Sequence, residues 1–299
     1  MNTCPVTNRT TKNTPIAIAV ATQSSANSAP VAVATQHVRD TLSTLAPHVA
    51  ADVPVVSLAK GLEQSTGQRP SEVLTEVLDH PARIFALSGP SHAEEVAHGV
   101  PTTVVVAGSD ESRLCELQDA LSAPTFRVYR NDDLLGIEVC GALKNVMALA
   151  AGMADGLGYG DNSKGAILAR GIVEMARYGQ AIGAKESTFY GLAGVGDLAV
   201  TAFSRHGRNR AFGERIGRGE TLQEALDASP KVAEGVWTSR VVNASVERIG
   251  VEMPIATAVA RILFEGLSPT DAVSALMERD PKSEGGGAVG SEPPGSGGR

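Results

Sequence analysis

The hydrophobic pattern of this chain changes period once, close to Asp133, and that change limits the possible fold more than any other feature. Before it, short apolar runs alternate with stretches of helical spacing. Ile16–Ala21, Val31–Ala34, Val53–Leu58, Ile84–Leu87, Thr102–Ala107 and Phe126–Arg130 read as strands. Between them, Val38, Leu42, Leu45 and Val49 recur at helical spacing over 37–49. Ser71 stands where it can cap a helix running to Asp79, Ser91 where it can cap a short one, and Asp110 opens a helix to about Leu121. Alternation of this kind predicts an α/β fold, a doubly wound and mostly parallel sheet whose ligands bind at the carboxyl ends of the strands. Lys60 and Gly89 each follow a strand directly and fall at that end.

After Asp133 the pattern is helical only. Leu134–Ala154 predicts one long helix with Leu135, Val139, Leu143, Val146 and Ala150 on its apolar stripe, and Ser163–Ile182 a second. Shorter helices are expected near 207–217, 221–228, 237–249, 255–264 and 269–278. The chain therefore divides into a polar, flexible leader (1–30), a sheet domain (31–132), an all-helical domain (133–284) and a Gly/Ser/Pro-rich tail (285–299) expected to be disordered.

A net charge of −7 and 4% aromatic residues argue against nucleic acid or an anionic membrane as partner. An anionic ligand would then need a local basic pocket. Three cysteines without a C-x-x-C pair argue against a disulfide framework or zinc knuckle and suit a reducing cytoplasm. No apolar run reaches the roughly 20 residues of a membrane span. His92, Glu94, Glu95 and His98 do not fit the H-E-x-x-H spacing and read as a solvated helix face, so no metal site is expected.

Three constellations can carry chemistry. Gly141, Lys144, Asn145, Ala148 and Gly152 fall on one face of the long helix, a stripe of little bulk bearing one amine and one amide. An amine buried there loses hydration, its pKa falls, and it becomes useful as a general acid or base near neutrality. A lysine reaching out to solvent beside a satisfied core amide fits the same spacing. Gly191–Ala199 superficially matches a G-x-G-x-x-A dinucleotide loop, but no strand precedes it. It reads better as a glycine turn that brings backbone close to a ligand, with Asp197 either pairing with Lys144 or serving as a turn or cap residue. Finally, Ser204–Arg210 places two arginines and Asn209 at a helix start, which suits a phosphate clamp or else a solvated basic turn.

Ser57-Leu-Ala-Lys60-Gly61, Ser88-Gly-Pro-Ser91, Gly136 through Leu143-Lys144-Asn145-Val146, Gly194-Val-Gly196-Asp197-Leu198, Gly207-Arg-Asn-Arg210 and Val232-Ala-Glu234-Gly235 occur in one order over about Val31–Lys282. Together they resemble the bacterial NAD(P)-dependent glycerol-3-phosphate dehydrogenase family. The resemblance implies reversible reduction of dihydroxyacetone phosphate to sn-glycerol 3-phosphate for glycerophospholipid synthesis, with NAD or NADP as cofactor and a homodimer as precedent. It implies Lys144 as proton donor and acceptor, with Asp197 orienting it. Lys60, Gly89, Ser91, Asn145, Gly207, Arg208 and Asn209 would touch substrate. Lys60, Ala93, Arg208, Val232 and Glu234 would lie on the cofactor side. Where Gly207 stands the family often carries serine, so one hydroxyl to phosphate is missing.

The family opens with a strand, a glycine loop of G-x-G-x-W-G type, a helix and a second strand. Here the first glycine is Gly61. The sheet domain is therefore expected to be an incomplete doubly wound (Rossmann-type) unit from a truncated or misassigned start. Weak NAD(P)H binding and slow or absent turnover are expected to follow, and the rival reading is a non-catalytic polyol-phosphate-binding or subunit-pairing remnant of the family. A β-hydroxyacid dehydrogenase shares the domain plan but usually separates its lysine and asparagine by about one helical turn; here Lys144 and Asn145 are adjacent.

Overall fold

A computed structural model of the chain describes residues 28–204, 207–229, 233–281 and 283–284. The expected leader up to residue 27, with its strand at Ile16–Ala21, the tail from residue 285 and the candidate residue Val232 lie outside the described residues.

Five strands form one sheet in the order β1 (Ala29–Val31), β2 (Val55–Ser57), β3 (Ile84–Ser88), β4 (Thr102–Ala107), β5 (Phe126–Asn131). β1, β2 and β3 are parallel, with Ala29 beside Val55 and Val55 beside Ile84. β4 runs antiparallel to β3, with Leu87 opposite Val106, and β5 is parallel to β4. The reversal has a local cause. The only helix between β3 and β4 is α3 (Ala93–Ala97), too short to carry the chain back along the sheet for a parallel crossover. Successive strand residues point to opposite faces, so Val55 and Ile84 join the cluster with Val38 and Leu74, while Val56 and Phe85 join the one with Leu114 and Leu117.

Several boundaries differ from the sequence reading. The first described strand is Ala29–Val31, not Val31–Ala34. α1 spans only Val38–Leu45, because Pro47 cannot continue an α-helix and the chain tightens into a 3-10 turn at Ala46–His48. α2 (Pro70–Leu78) starts before Ser71, since proline suits the first helical position, and Ser71 does not cap it. Ser71 instead gives its N–H (2.7 Å) and hydroxyl (2.5 Å) to Glu138, which also receives Arg69 Nη1 at 2.7 Å, so one buried carboxylate clasps the two domains. Asp110 caps α4 (Glu111–Leu121) as expected, accepting from Arg113 N.

Every named element after β5 is helical. α5 (Leu134–Gly156) and α6 (Asp161–Ala181) are followed by α7 (Glu186–Phe189) and α8 (Asp197–Phe203). Then come α9 (Arg208–Gly217), α10 (Leu222–Asp227), α11 (Glu234–Ile249), α12 (Pro254–Phe264) and α13 (Pro269–Met277). α5 is long and apolar enough to cross a membrane by length and composition, yet 83% of its most apolar window is buried among the other helices. It is the axis of the domain. α9 approaches it backbone to backbone, because a Cβ on Gly152 would lie 2.0 Å from Arg210 O and one on Gly213 would lie 2.1 Å from Leu149 O. Only glycine permits that contact, which sets the start of α9 beside the small-residue stripe of α5 that carries Lys144 and Asn145.

Candidate active site

Lys144 and Asn145 project from the middle of α5 and are 6% and 5% exposed. The amine of Lys144 donates to Asp197 Oδ1 at 2.5 Å and to Thr201 Oγ1 at 2.9 Å. Thr201 in turn donates to the carbonyl of Asp197 at 2.6 Å. From the sheet domain, Lys60 reaches over to the other carboxylate oxygen, Asp197 Oδ2, at 2.6 Å and to the carbonyl of Gly89 at 3.0 Å. Two ammonium groups thus share one carboxylate. Burial lowers the Lys144 pKa first and the neighbouring Lys60 charge lowers it further; against the pull of Asp197 it settles at about 7. Burial alone would raise Asp197, but Lys60 and Lys144 more than offset it and hold the carboxyl below its usual range. The arrangement is a proton-active amine near neutrality with a fixed anion behind it. The alternative of a lysine reaching into solvent is excluded by its burial.

Local sequence explains each placement. Asp197 does not end a loose glycine turn. Leu192–Gly196 forms a single π-helical turn that runs straight into α8, so Asp197 is the first residue of a helix and Thr201 lies one turn on. Gly194 packs against the Phe189 backbone, with its Cβ position 1.9 Å from Phe189 O. Asn145 donates to the carbonyl of Lys60 at 2.8 Å, tying the strand-end loop to α5.

The basic run divides into two roles. Arg210 is held by Asp155 at 2.7 Å and Glu214 at 3.0 Å and braces α9. It is not half of a clamp. Arg208 is exposed at the first position of α9, with the backbone of the helix start around it. Asn209 is 7% exposed, and its Oδ1 accepts from Gly235 N at 3.0 Å, which leaves its amide N–H groups as donors. Gly235 also packs on Asn145 O, so Asn145 and Asn209 converge on the start of α11. Gly207 precedes the helix; a Cβ there would lie 2.9 Å from Thr201 O, too near for serine without a shift.

On the sheet side, Gly89 has φ +119, a backbone conformation that favours glycine, and its carbonyl receives both Lys60 and the Ser91 hydroxyl at 3.0 Å. Ser91 does not cap α3, whose preceding residue is His92 and whose first residue is Ala93. Ser88, which the sequence reading quotes in the Ser88–Ser91 motif without a role of its own, is 4% exposed, its Oγ has no partner among the described residues, and it lies across from Gly141 beside the Lys60 stem. Glu234 begins α11 and accepts the Thr35 N–H at 2.9 Å. Among the described residues its second oxygen and the Thr35 hydroxyl are buried without a hydrogen-bond partner, and both border Gly61. Orphaned polar atoms at this junction fit a polar ligand seated between Lys60-Gly61 and α11. Among the described residues no three His, Cys, Asp or Glu side chains gather as a metal site.

Two family models match the chain. One, described as NAD-dependent glycerol-3-phosphate dehydrogenase N-terminus, covers residues 14–114; the other, the C-terminus of the same family, covers 133–274. Glycerol-3-phosphate dehydrogenase (NAD(P)+) of Chlorobium phaeobacteroides is 47% identical over 255 residues, 85% of this chain and 76% of that protein. The Moorella thermoacetica protein of the same name is 48% identical over 83% of this chain and 74% of its own length. The crystal structure of glycerol-3-phosphate dehydrogenase from Coxiella burnetii superposes with a TM-score of 0.78 at 36% identity, over 84% of this chain and 76% of that one.

Proposed function

The chain belongs to the NAD-dependent glycerol-3-phosphate dehydrogenase family, and on that premise we propose that Lys144 is the proton donor and acceptor for interconverting dihydroxyacetone phosphate and sn-glycerol 3-phosphate. The observation that carries this reading is the buried Lys144 amine, near neutrality in pKa, held between Asp197 and Thr201.

When bound, NAD or NADP supplies or accepts the hydride at the substrate's central carbon. The residues proposed for the cofactor side are Lys60, Ala93, Arg208 and Glu234, and the buried oxygens of Thr35 and Glu234 beside Gly61 support that reading. Lys144 gives a proton to the oxygen of that carbon as the ketone is reduced and removes it in reverse. Lys60, with its positive charge on the same side, favours negative charge developing on that oxygen. Asp197 keeps both amines aimed. Arg208 and the amide of Asn209, at the start of α9, suit the phosphate, where guanidinium and helix N–H groups combine. Gly89, Ser91 and Gly207 are proposed as further substrate contacts, and Asn145 holds the Lys60 loop through the carbonyl of Lys60.

Residues 1–60 contain no glycine, whereas a dinucleotide pyrophosphate is usually cradled by a glycine loop at a helix start. The polypeptide of these 299 residues is therefore proposed to hold NAD(P)H weakly and turn over slowly. Fluorescence titration with NADPH and a dihydroxyacetone phosphate assay test both parts. No substrate-dependent NAD(P)H oxidation at any cofactor concentration, alongside measurable phosphate-ester binding, would favour the non-catalytic reading. Free Cys115 and Cys140 support a reducing cytoplasmic setting. A homodimer is the proposed assembly, to be checked by sedimentation.

A further inference from the structure

The face of α5 that carries Lys144 and Asn145 is not its only concave side. About half a helical turn away, Leu135, Val139, Ala142 and Leu143 floor a separate cavity of about 550 Å³ between the sheet domain and α11. Neither Lys60, Lys144, Asp197 nor Asn209 borders it. Its rim carries three arginines, Arg69, Arg240 and Arg248, against a single carboxylate, Glu72. Glu72 is already bound to Arg69 at 2.8 Å, and Arg69 is further neutralised by Glu138. Arg240 and Arg248 form no ion pair among the described residues.

Those two arginines lie two turns apart on one side of α11, with the small Ala244 between them. Arg240 is steadied by aromatic rings, its guanidinium carbon 4.2 Å from the centroid of Phe264 and 5.5 Å from that of Trp237. Close by, Tyr178 and Ser245 bring hydroxyls 3.1 Å apart to the wall. In a chain of net charge −7, a cavity with an apolar floor whose lining includes two arginines without an ion pair among the described residues suits an anion with a compact apolar body.

We propose that this cavity is a second ligand site, for a small organic phosphate ester whose charged head meets Arg240 and Arg248 and whose apolar part rests on Val139 and Leu143. The site is placed to influence the reaction. Leu143 precedes Lys144, and Leu62 on the same wall follows Lys60 by two residues, so an occupant presses on the backbone that carries both amines.

Phenyl phosphate is a suitable probe, titrated calorimetrically into the full chain carrying Arg208→Glu, which disables the proposed phosphate clamp of the catalytic side. Saturable binding with a Kd of about 1 mM or tighter is expected. Arg248→Glu, at an exposed position, should weaken it at least about tenfold, and Arg240→Lys should weaken it while keeping the charge. Circular dichroism confirms that each variant is folded, with Arg248→Gln as the milder substitute. The proposal is overturned by absence of saturable binding up to about 10 mM, by affinity unchanged in the Arg248 variants, or by equal affinity for inorganic phosphate. Because the readout is binding in a clamp-disabled variant, its failure leaves the catalytic reading untouched, and the reverse also holds.

Discussion

Lys144 and Asp197, 53 positions apart in sequence, meet at 2.5 Å in a site where both are almost wholly buried. The same carboxylate meets Lys60 at 2.6 Å from the other domain. One anion therefore fixes two amines and joins two lobes, and most of the testable consequences begin there.

Asp197→Asn leaves two ammonium groups facing a neutral amide in a dry site. Breaking a buried pair in this way is expected to lower stability by about 3–5 kcal/mol. Loss of alignment should lower kcat/KM by at least about a hundredfold. Denaturant melts and steady-state assays check the two effects separately, and a variant with near-normal turnover would remove Asp197 from the mechanism.

The pH dependence has opposite signs for the two directions. The Lys144 pKa is lowered by burial and by Lys60 to about 7. With Lys144 as the proposed proton donor, reduction draws on the protonated amine, so its kcat/KM should fall as pH rises through about 7. Oxidation of glycerol 3-phosphate needs the neutral amine and should rise over the same interval. Profiles in both directions, with saturating cofactor, check this; parallel profiles would contradict the assignment.

Thr201 accepts from the Lys144 ammonium at 2.9 Å and donates to the Asp197 backbone. Thr201→Val removes an acceptor of the charged form, so the break in the pH profile should move to lower pH. kcat/KM should fall about tenfold, in line with a lost charged hydrogen bond of ~1.5 kcal/mol. Thr201→Ser keeps the hydroxyl and should restore the wild-type break, a rescue that a purely packing role does not predict.

The α5–α9 contact is a test of the fold's geometry. Gly213→Ala adds a Cβ 2.1 Å from Leu149 O, so the helices must part. Overpacking of this kind is expected to reduce stability by about 1–3 kcal/mol or more. It should also raise KM for the phosphorylated substrate, because α9 carries Arg208 and Asn209. Thermal melts and the KM of dihydroxyacetone phosphate follow both effects.

Much of the site was readable along the chain because helical periodicity is local. Lys144 and Asn145 stand out as polar groups on a small-residue face of an otherwise apolar helix, and the Lys60-Gly61 and Ser88–Ser91 loops follow strand patterns directly. Thr201 was not legible. Its role depends on Asp197 opening a helix, and the glycines at Gly194 and Gly196 read as a turn until the π-helical segment is seen. Ser88 belongs to the quoted Ser88–Ser91 motif but carries no role in the sequence reading, because nothing in its neighbours in sequence marks a hydroxyl that is buried without a partner among the described residues. Arg208 and Arg210 look alike in sequence; only Asp155, 55 positions away, shows that Arg210 is a brace.

From sequence alone came the succession of strands and helices, the break at Asp133 and the amine with its neighbouring amide, since each rests on spacing within a few turns. Tertiary structure decided the antiparallel turn-back between β3 and β4, the sharing of Asp197 by Lys60 and Lys144, and the division of labour between two neighbouring arginines. Those outcomes depend on which distant groups share a desolvated space, where charge is expensive unless paired. Periodicity along a chain carries no information about that space until the two lobes have closed around it.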